Sequence, residues 1–417
     1  MMSILIKQAL LDGKKKDILI KGNRISRIAD SIRSKTKKVI DAKDMAILPG
    51  FMNAHTHAAM NLLRGYADDM HLKRWLEEMI WPVESKLTEE DVYWGTRLAC
   101  IEMIRTGTTF FSDMYWHFHG TARAVEDAGL RASVSAVFMD MMDPIFAKEQ
   151  MRANEKLEKE ASRYSDRIHY SIGPHSIYTV SVDSLRWITK FTRKKKIPIH
   201  IHVSETKEEV RRCKRKYGKR PVELLDEIGF LRNNVIAAHS LWLDEEEFRI
   251  MGKRKVNVAI NPVSNMKLSN GREYDHMLSS RYKVNVGIGT DGAASNNSLS
   301  MLDSMKTTAL LAKLYSEPTN VPATEVFNMA TKNCARMFGL DTGEIKVGNL
   351  ADCILVDLKN IFLIPNHNLV SNLVYAADSS CIDTTICDGR ILMEKKRIPG
   401  EARIKREAEK RAFRLTT

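Results

Sequence analysis

No run of eighteen or more uncharged apolar residues occurs in this chain, so a membrane-spanning helix is not expected. The N-terminal stretch MMSILIKQALLDGKKKDILI carries charge where a signal peptide would need its apolar segment, so we expect a soluble, cytoplasmic protein. Cysteine is sparse: Cys100, Cys213, Cys334, Cys353, Cys381 and Cys387 form no CxxC pair. That spacing suggests neither a thiolate zinc site nor a disulfide framework, and most of the six are expected to be small buried hydrophobes. No internal repeat or low-complexity tract is present, and no nucleic-acid-binding motif accompanies the formal net charge of +13. The basic runs at 14–16, 193–196 and 211–216 fall in separate segments, and the last is flanked by glutamates like an exposed helix face. We therefore expect neither a nucleic-acid nor a membrane partner, although the surplus charge attracts anionic ligands at long range.

What is present is a long alternation. At 417 residues the chain exceeds the usual single-core size. Residues 1–48 hold short alternating segments separated by Gly and Asn, and 344–417 repeat that texture before a C-terminal helix. Neither end is long enough to fold alone, so the two are expected to combine into one small β-domain. Between them, residues 49–343 give about eight buried strand candidates, from ILPGFMNAHTH to KVNVGIGTDG, each followed by a polar or helical segment. This pattern predicts an α/β fold, a (β/α)8 TIM barrel, with a doubly wound open sheet as the other solution. The polar residues cluster at the C-terminal ends of the strands, where barrels build active sites. The charged stretch 148–164 is expected to be a helix on the barrel exterior.

His55 and His57 are one residue apart, so on a strand they share a face. His200, His202 and Ser204 share a face in IHIHVSE, and either histidine can join the first pair. The next strand ends in His239 and the last in Asp291. Three imidazoles and a carboxylate suit a borderline divalent ion and leave a position for water, which is a catalytic arrangement. His239 and Asp291 are placed to activate that water, and Glu205, three residues after His202, to shuttle a proton. The structural alternative for Glu205 is a carboxylate at a helix N-terminus in SETKEEV.

The motifs HTH at 55–57, HIHVSE at 200–205, HS at 239–240 and GTDGAASNNSLSM at 289–301 resemble the amidohydrolase superfamily. The likeness is strongest to its 5-methylthioadenosine/S-adenosylhomocysteine deaminases and spans nearly the whole chain. It implies a barrel with a composite β-sandwich from both ends, and a hydrolase acting on an adenine nucleoside. By position it implies His55, His57, His202 and Asp291 as metal ligands, His239 as the water-orienting histidine and Glu205 as the proton shuttle. Glu84 matches the residue that holds the ribose hydroxyls, and His175 another residue that contacts substrate. The strand that carries a bridging carboxylated lysine in some relatives reads SIGPHS here, which implies one divalent ion per subunit. Zinc is the first expectation, with Fe2+ and Mn2+ compatible. A homo-oligomer is also implied.

Glu84 and His175 have plain alternatives, a helix cap near Leu87–Thr88 and a polar turn residue. Trp75, Met79 and Trp81 fit either an apolar wall for the purine or helix core. His117 and His119 form a second His-x-His for which the resemblance offers no metal role. One departure concerns specificity: relatives that accept S-adenosylhomocysteine are expected to carry an arginine near the end of the third strand, where this chain has Ala136. Arg131 lies at the far end of that strand, and Arg152 in the segment beyond. An unpaired buried carboxylate is costly, so methylthioadenosine, adenosine and 5′-deoxyadenosine are the expected substrates over S-adenosylhomocysteine. The rivals are an aminohydrolase of the same barrel acting on guanine, a pterin or a triazine, a chlorohydrolase, and a non-catalytic scaffold.

Overall fold

The computed structural model describes residues 3–417 apart from 196 and 315. Residue 196, the last of the basic run 193–196, is therefore outside the description. Five strands come first: β1 Ser3–Leu11, β2 Lys14–Lys21, β3 Arg24–Ala29, β4 Lys38–Asp41 and β5 Met45–Pro49. Eight more follow through the middle: β6 Phe51–Thr56, β7 Thr108–Tyr115, β8 Arg131–Phe138, β9 Ile168–Pro174, β10 Ile199–Val203, β11 Val235–His239, β12 Asn257–Ile260 and β13 Asn285–Ile288. The last three are β14 Cys353–Asp357, β15 Ile382–Cys387 and β16 Arg390–Met393.

β6 to β13 pair in sequence order, all parallel, with helices between them. The barrel closes just past β13, where the Thr290 and Asp291 amides donate to the His55 carbonyl, both at 3.0 Å. This is the expected (β/α)8 barrel. β1 to β5 and β14 to β16 make a second, mixed sheet of eight strands drawn from both chain ends. Its apolar face is filled by Ile4, Ile6, Ile18, Ile20, Ile47 and Leu355.

ILPGFMNAHTH, read as one strand, is two. Met45–Pro49 pairs with β14 in the mixed sheet, and Phe51–Thr56 pairs with β7 in the barrel. Gly50 lies between them because a Cβ there would meet Thr109 side-chain atoms at 2.3 Å. The charged helix predicted at 148–164 spans Pro144–Glu160, started by Asp143 and Pro144. In helix Lys207–Tyr217, Val210 and Cys213 are buried while Arg211, Arg212, Lys214, Arg215 and Lys216 are exposed. The six cysteines are all buried and unpaired. Among the described residues no helix is long and apolar enough to cross a membrane.

Candidate active site

Backbone geometry at the strand ends builds the site. Ser204, His239, Ser240 and Asp291 all have positive φ, between 51° and 66°, in the left-handed region that L-residues with side chains seldom occupy. Each such residue costs about 1 kcal/mol or more, and here the turn aims the neighbouring side chains across the barrel mouth.

Four imidazoles and one carboxylate meet there. Asp291 Oδ1 lies 3.4 Å from His55 Nε2 and 3.2 Å from His57 Nε2. Ligand atoms of His55, His202 and His239 lie within 4.8 Å of one another, as do those of His55, His57 and Asp291. Four ligands held tetrahedrally at about 2.1 Å from an ion are about 3.4 Å apart, the separation found between Asp291 and the two histidines. His55 Nε2 is fully buried and has no hydrogen-bond partner, an orphaned nitrogen that a cation would satisfy. The residues present therefore fit a divalent ion. His239 is near enough to be a further donor.

In each ring the other nitrogen is occupied. His57 Nδ1 lies 2.6 Å from the Met114 carbonyl, and His202 Nδ1 2.8 Å from the His175 carbonyl. His55 Nδ1 is 2.7 Å from His200 Nε2, whose Nδ1 is 3.1 Å from Ser112 Oγ. His200 thus lies one layer below the rim and contacts His55, whereas His202 reaches the cluster. Asp291 Oδ2 accepts from Ser264 Oγ at 2.6 Å and Ser295 Oγ at 3.1 Å, which turns Oδ1 to the histidines.

Burial lowers His55 to about 3 and drives His200 and His202 well below the ordinary histidine range. Burial opposes charge on His57 too, but the hydrogen bond and charge of Asp291 outweigh it and raise His57 to about 9. Burial raises Glu205, and the neighbouring Asp291 adds to this against the opposing pull of His239. A carboxyl that holds its proton more readily suits proton transfer. Glu205 Oε2 is 3.9 Å from His239 Nε2, and the Glu205 and Ser204 amides donate to the buried Glu209 carboxyl at 2.9 and 2.8 Å. Glu205 is not the helix cap: Thr206 caps that helix.

Glu84 and His175 line the same cavity. Trp116 Nε1 donates to Glu84 Oε2 at 3.4 Å, and burial raises the Glu84 carboxyl. Glu84 does not cap the following helix, whose start is held by Thr88 and Asp91. Trp75 and Trp81 line the cavity, and Met79 does not. His117 bonds the Leu87 carbonyl and His119 bonds Glu160 and Tyr164, so neither belongs to the site.

Ala136 needs correcting as the position facing the site. It is buried in the main core, and Val137 and Met139 line the cavity instead, as strand alternation requires. Arg131 is at the opposite barrel end, bonded to Asp352 and Asp388, and Arg152 is exposed on its helix. No lysine or arginine lines the cavity among the described residues. Sequence reading missed Asn265, Asn270, Ser264 and Ser295; NPVSNMKLSNG and GTDGAASNN placed them near the ligands without showing their contacts. Among the described residues, a larger groove of about 700 Å3 bordered by Arg272, Tyr274 and His276 gathers no comparable ligand set.

The chain matches the sequence profile of the amidohydrolase family over residues 46–392. It is 47% identical over 385 residues to the 5′-deoxyadenosine deaminase of Methanoregula boonei, covering 92% of this chain and 87% of that protein. It is 46% identical over 392 residues to 5-methylthioadenosine/S-adenosylhomocysteine deaminase 1 of Archaeoglobus fulgidus, covering 94% and 92%. The crystal structure of an adenosine deaminase from Xanthomonas campestris with bound zinc superposes with a TM-score of 0.92 at 31% identity, over 99% of this chain and 98% of that one. A triazine hydrolase variant, at 20% identity and TM-score 0.91, shares the barrel architecture. With its barrel, its rim of histidines and these matches, the chain belongs to the amidohydrolase family.

Proposed function

We propose that this protein hydrolytically deaminates adenine nucleosides, releasing ammonia and the inosine analogue. The observation that carries this reading is Glu205, buried and 3.9 Å from His239 Nε2 at the edge of the His/Asp cluster. The names of the relatives support the substrate class.

His55, His57, His202 and Asp291 would hold one divalent ion, with zinc favoured by the zinc-bound structural relative. When bound, the ion supplies Lewis acidity that makes water a nucleophile at neutral pH. Asp291 Oδ1 and His239 Nε2 accept from the attacking water and aim its oxygen at C6. Glu205 takes one proton from that water and delivers it to the adjacent ring nitrogen as the C6–O bond forms. Glu205 then carries a second proton from the added oxygen to the amino group, the C6–N bond breaks, and ammonia leaves. Glu84 has two acceptor oxygens for the ribose diol, and the Trp116 indole holds one of them. Trp75 and Trp81 supply the apolar wall against the purine.

A cavity lined by Val137 and Met139, with no lysine or arginine among the described residues to pair a carboxylate, favours uncharged 5′ substituents. We therefore rank 5′-deoxyadenosine, methylthioadenosine and adenosine above S-adenosylhomocysteine. A cytoplasmic setting and a homo-oligomer belong to the same proposal and rest on the family resemblance. The test of the chemistry is Glu205→Gln: with metal content unchanged, ammonia release should fall by at least about 100-fold, the range of a lost general acid–base. Near-normal turnover in that variant would remove Glu205 from the mechanism.

A further inference from the structure

Asn265 and Asn270 join the two proton-handling side chains through one chain of hydrogen bonds. A carboxylate only accepts, so Asn270 Nδ2 donates to Glu205 Oε1, at 3.1 Å. The same nitrogen reaches Asn265 Oδ1 at 3.4 Å, and His239 Nδ1 lies 2.9 Å from that oxygen. An amide oxygen also only accepts, so the His239 proton belongs on Nδ1 and Nε2 faces Glu205 bare. Asn261 Nδ2 approaches the same Nδ1 at 3.4 Å, the longer contact, and a bond from it would demand the opposite tautomer. Asn265 and Asn270 are both buried. Their turn is rigid: the Asn270 amide donates to the Asn265 carbonyl at 3.0 Å, and Trp242 Nε1 to the Asn270 carbonyl at 2.8 Å.

We propose that Asn265 and Asn270 are positioning residues that fix, respectively, the tautomer of His239 and the direction of the Glu205 carboxylate. This rests on the deaminase reading above. The two asparagines do opposite work, since Asn265 accepts from His239 and Asn270 donates to Glu205. Asparagine-to-aspartate changes keep an oxygen and remove the donor, so they separate the two.

Asn265→Ala and Asn270→Ala should each lower kcat by about 10–100-fold, the usual cost of removing such a partner, with KM changed less than about threefold and bound metal retained. Asn265→Asp should recover most of the lost kcat, and Asn270→Asp should not. Equal behaviour of the two aspartate variants, or a loss confined to KM, would overturn the assignment. Ring 15N spectra of His239, assigned by loss of its signals in His239→Asn, read the tautomer without any turnover. They should show the proton on Nδ1 in the wild type and a mixture in Asn265→Ala; a proton on Nε2 in the wild type would contradict the proposal. A wild type that deaminates no nucleoside would instead refute the substrate reading, and the spectra would still decide the tautomer.

Discussion

Four imidazoles meet at the barrel rim, and in each the Nδ1 already has a partner. Two of these partners are backbone carbonyls, which fix the proton on Nδ1 outright. His55 instead depends on His200, which depends on Ser112, so the direction of this relay sets which His55 nitrogen is bare. His200→Ala should therefore weaken zinc binding by about 10–100-fold in a competition titration, with Ser112→Ala weaker in effect. An unchanged affinity would show that His55 needs no such support. The histidine cluster was legible in the sequence because alternation on a strand puts His55 with His57 and His200 with His202. Alternation gives the face and not the depth, which is why His200 and His202 stayed equivalent until the barrel was formed. Asn265 and Asn270 were invisible for a different reason: nothing in a lone asparagine tells whether its amide meets solvent or a catalytic carboxylate.

Among the elements, the strand ends carry the surprises. His239, Ser240 and Asp291 turn in left-handed backbone without glycine; Asp and His visit that region more than most residues, but nothing in the sequence marks these as the ones that do. The split at Gly50 was hidden because ILPGFMNAHTH is apolar on both sides of the glycine. Gly50→Ala should destabilise the fold by about 1–3 kcal/mol, the cost of forcing atoms into a packed site, measured by urea unfolding. A neutral substitution would mean that the Thr109 side chain yields freely. The turn after β10 makes a second prediction. Burial raises Glu209 from 4.5 to about 8, so between those pH values the folded protein holds a proton that the unfolded chain has lost. Stability from this group therefore falls as pH rises across that window. The wild-type Tm should decline more steeply than that of Glu209→Gln between about pH 5 and about pH 8. Parallel curves would mean that Glu209 titrates as an ordinary carboxyl.

At the scale of the whole molecule, the barrel and the mixed sheet are tied by Arg131 at the start of β8. Its Nε lies 3.0 Å from Asp352 and an Nη 2.9 Å from Asp388, and the Asp388 amide donates to Asp352 at 2.7 Å. Removing the cation takes the ion pair from the buried Asp352, while Asp388 keeps Arg167, so Arg131→Ala should cost about 3–5 kcal/mol in chemical unfolding. A loss below about 1 kcal/mol would show that water replaces the guanidinium there. Architecture was the most legible level, since eight strand-helix units flanked by two short β-rich ends leave few arrangements. Which strand positions look into the cavity was less so: Val137 and Met139 face it and Ala136 does not, which alters what the site can recognise. In that cavity we propose Glu84 as the acidic anchor, and no lysine or arginine lines it among the described residues. The most direct test is ammonia release by the zinc-loaded protein from 5′-deoxyadenosine, methylthioadenosine and adenosine beside S-adenosylhomocysteine, adenine and guanine. The account predicts turnover of the three uncharged nucleosides, a poorer rate with S-adenosylhomocysteine and none with the free bases. Turnover of a free base with no reaction of any nucleoside would contradict it.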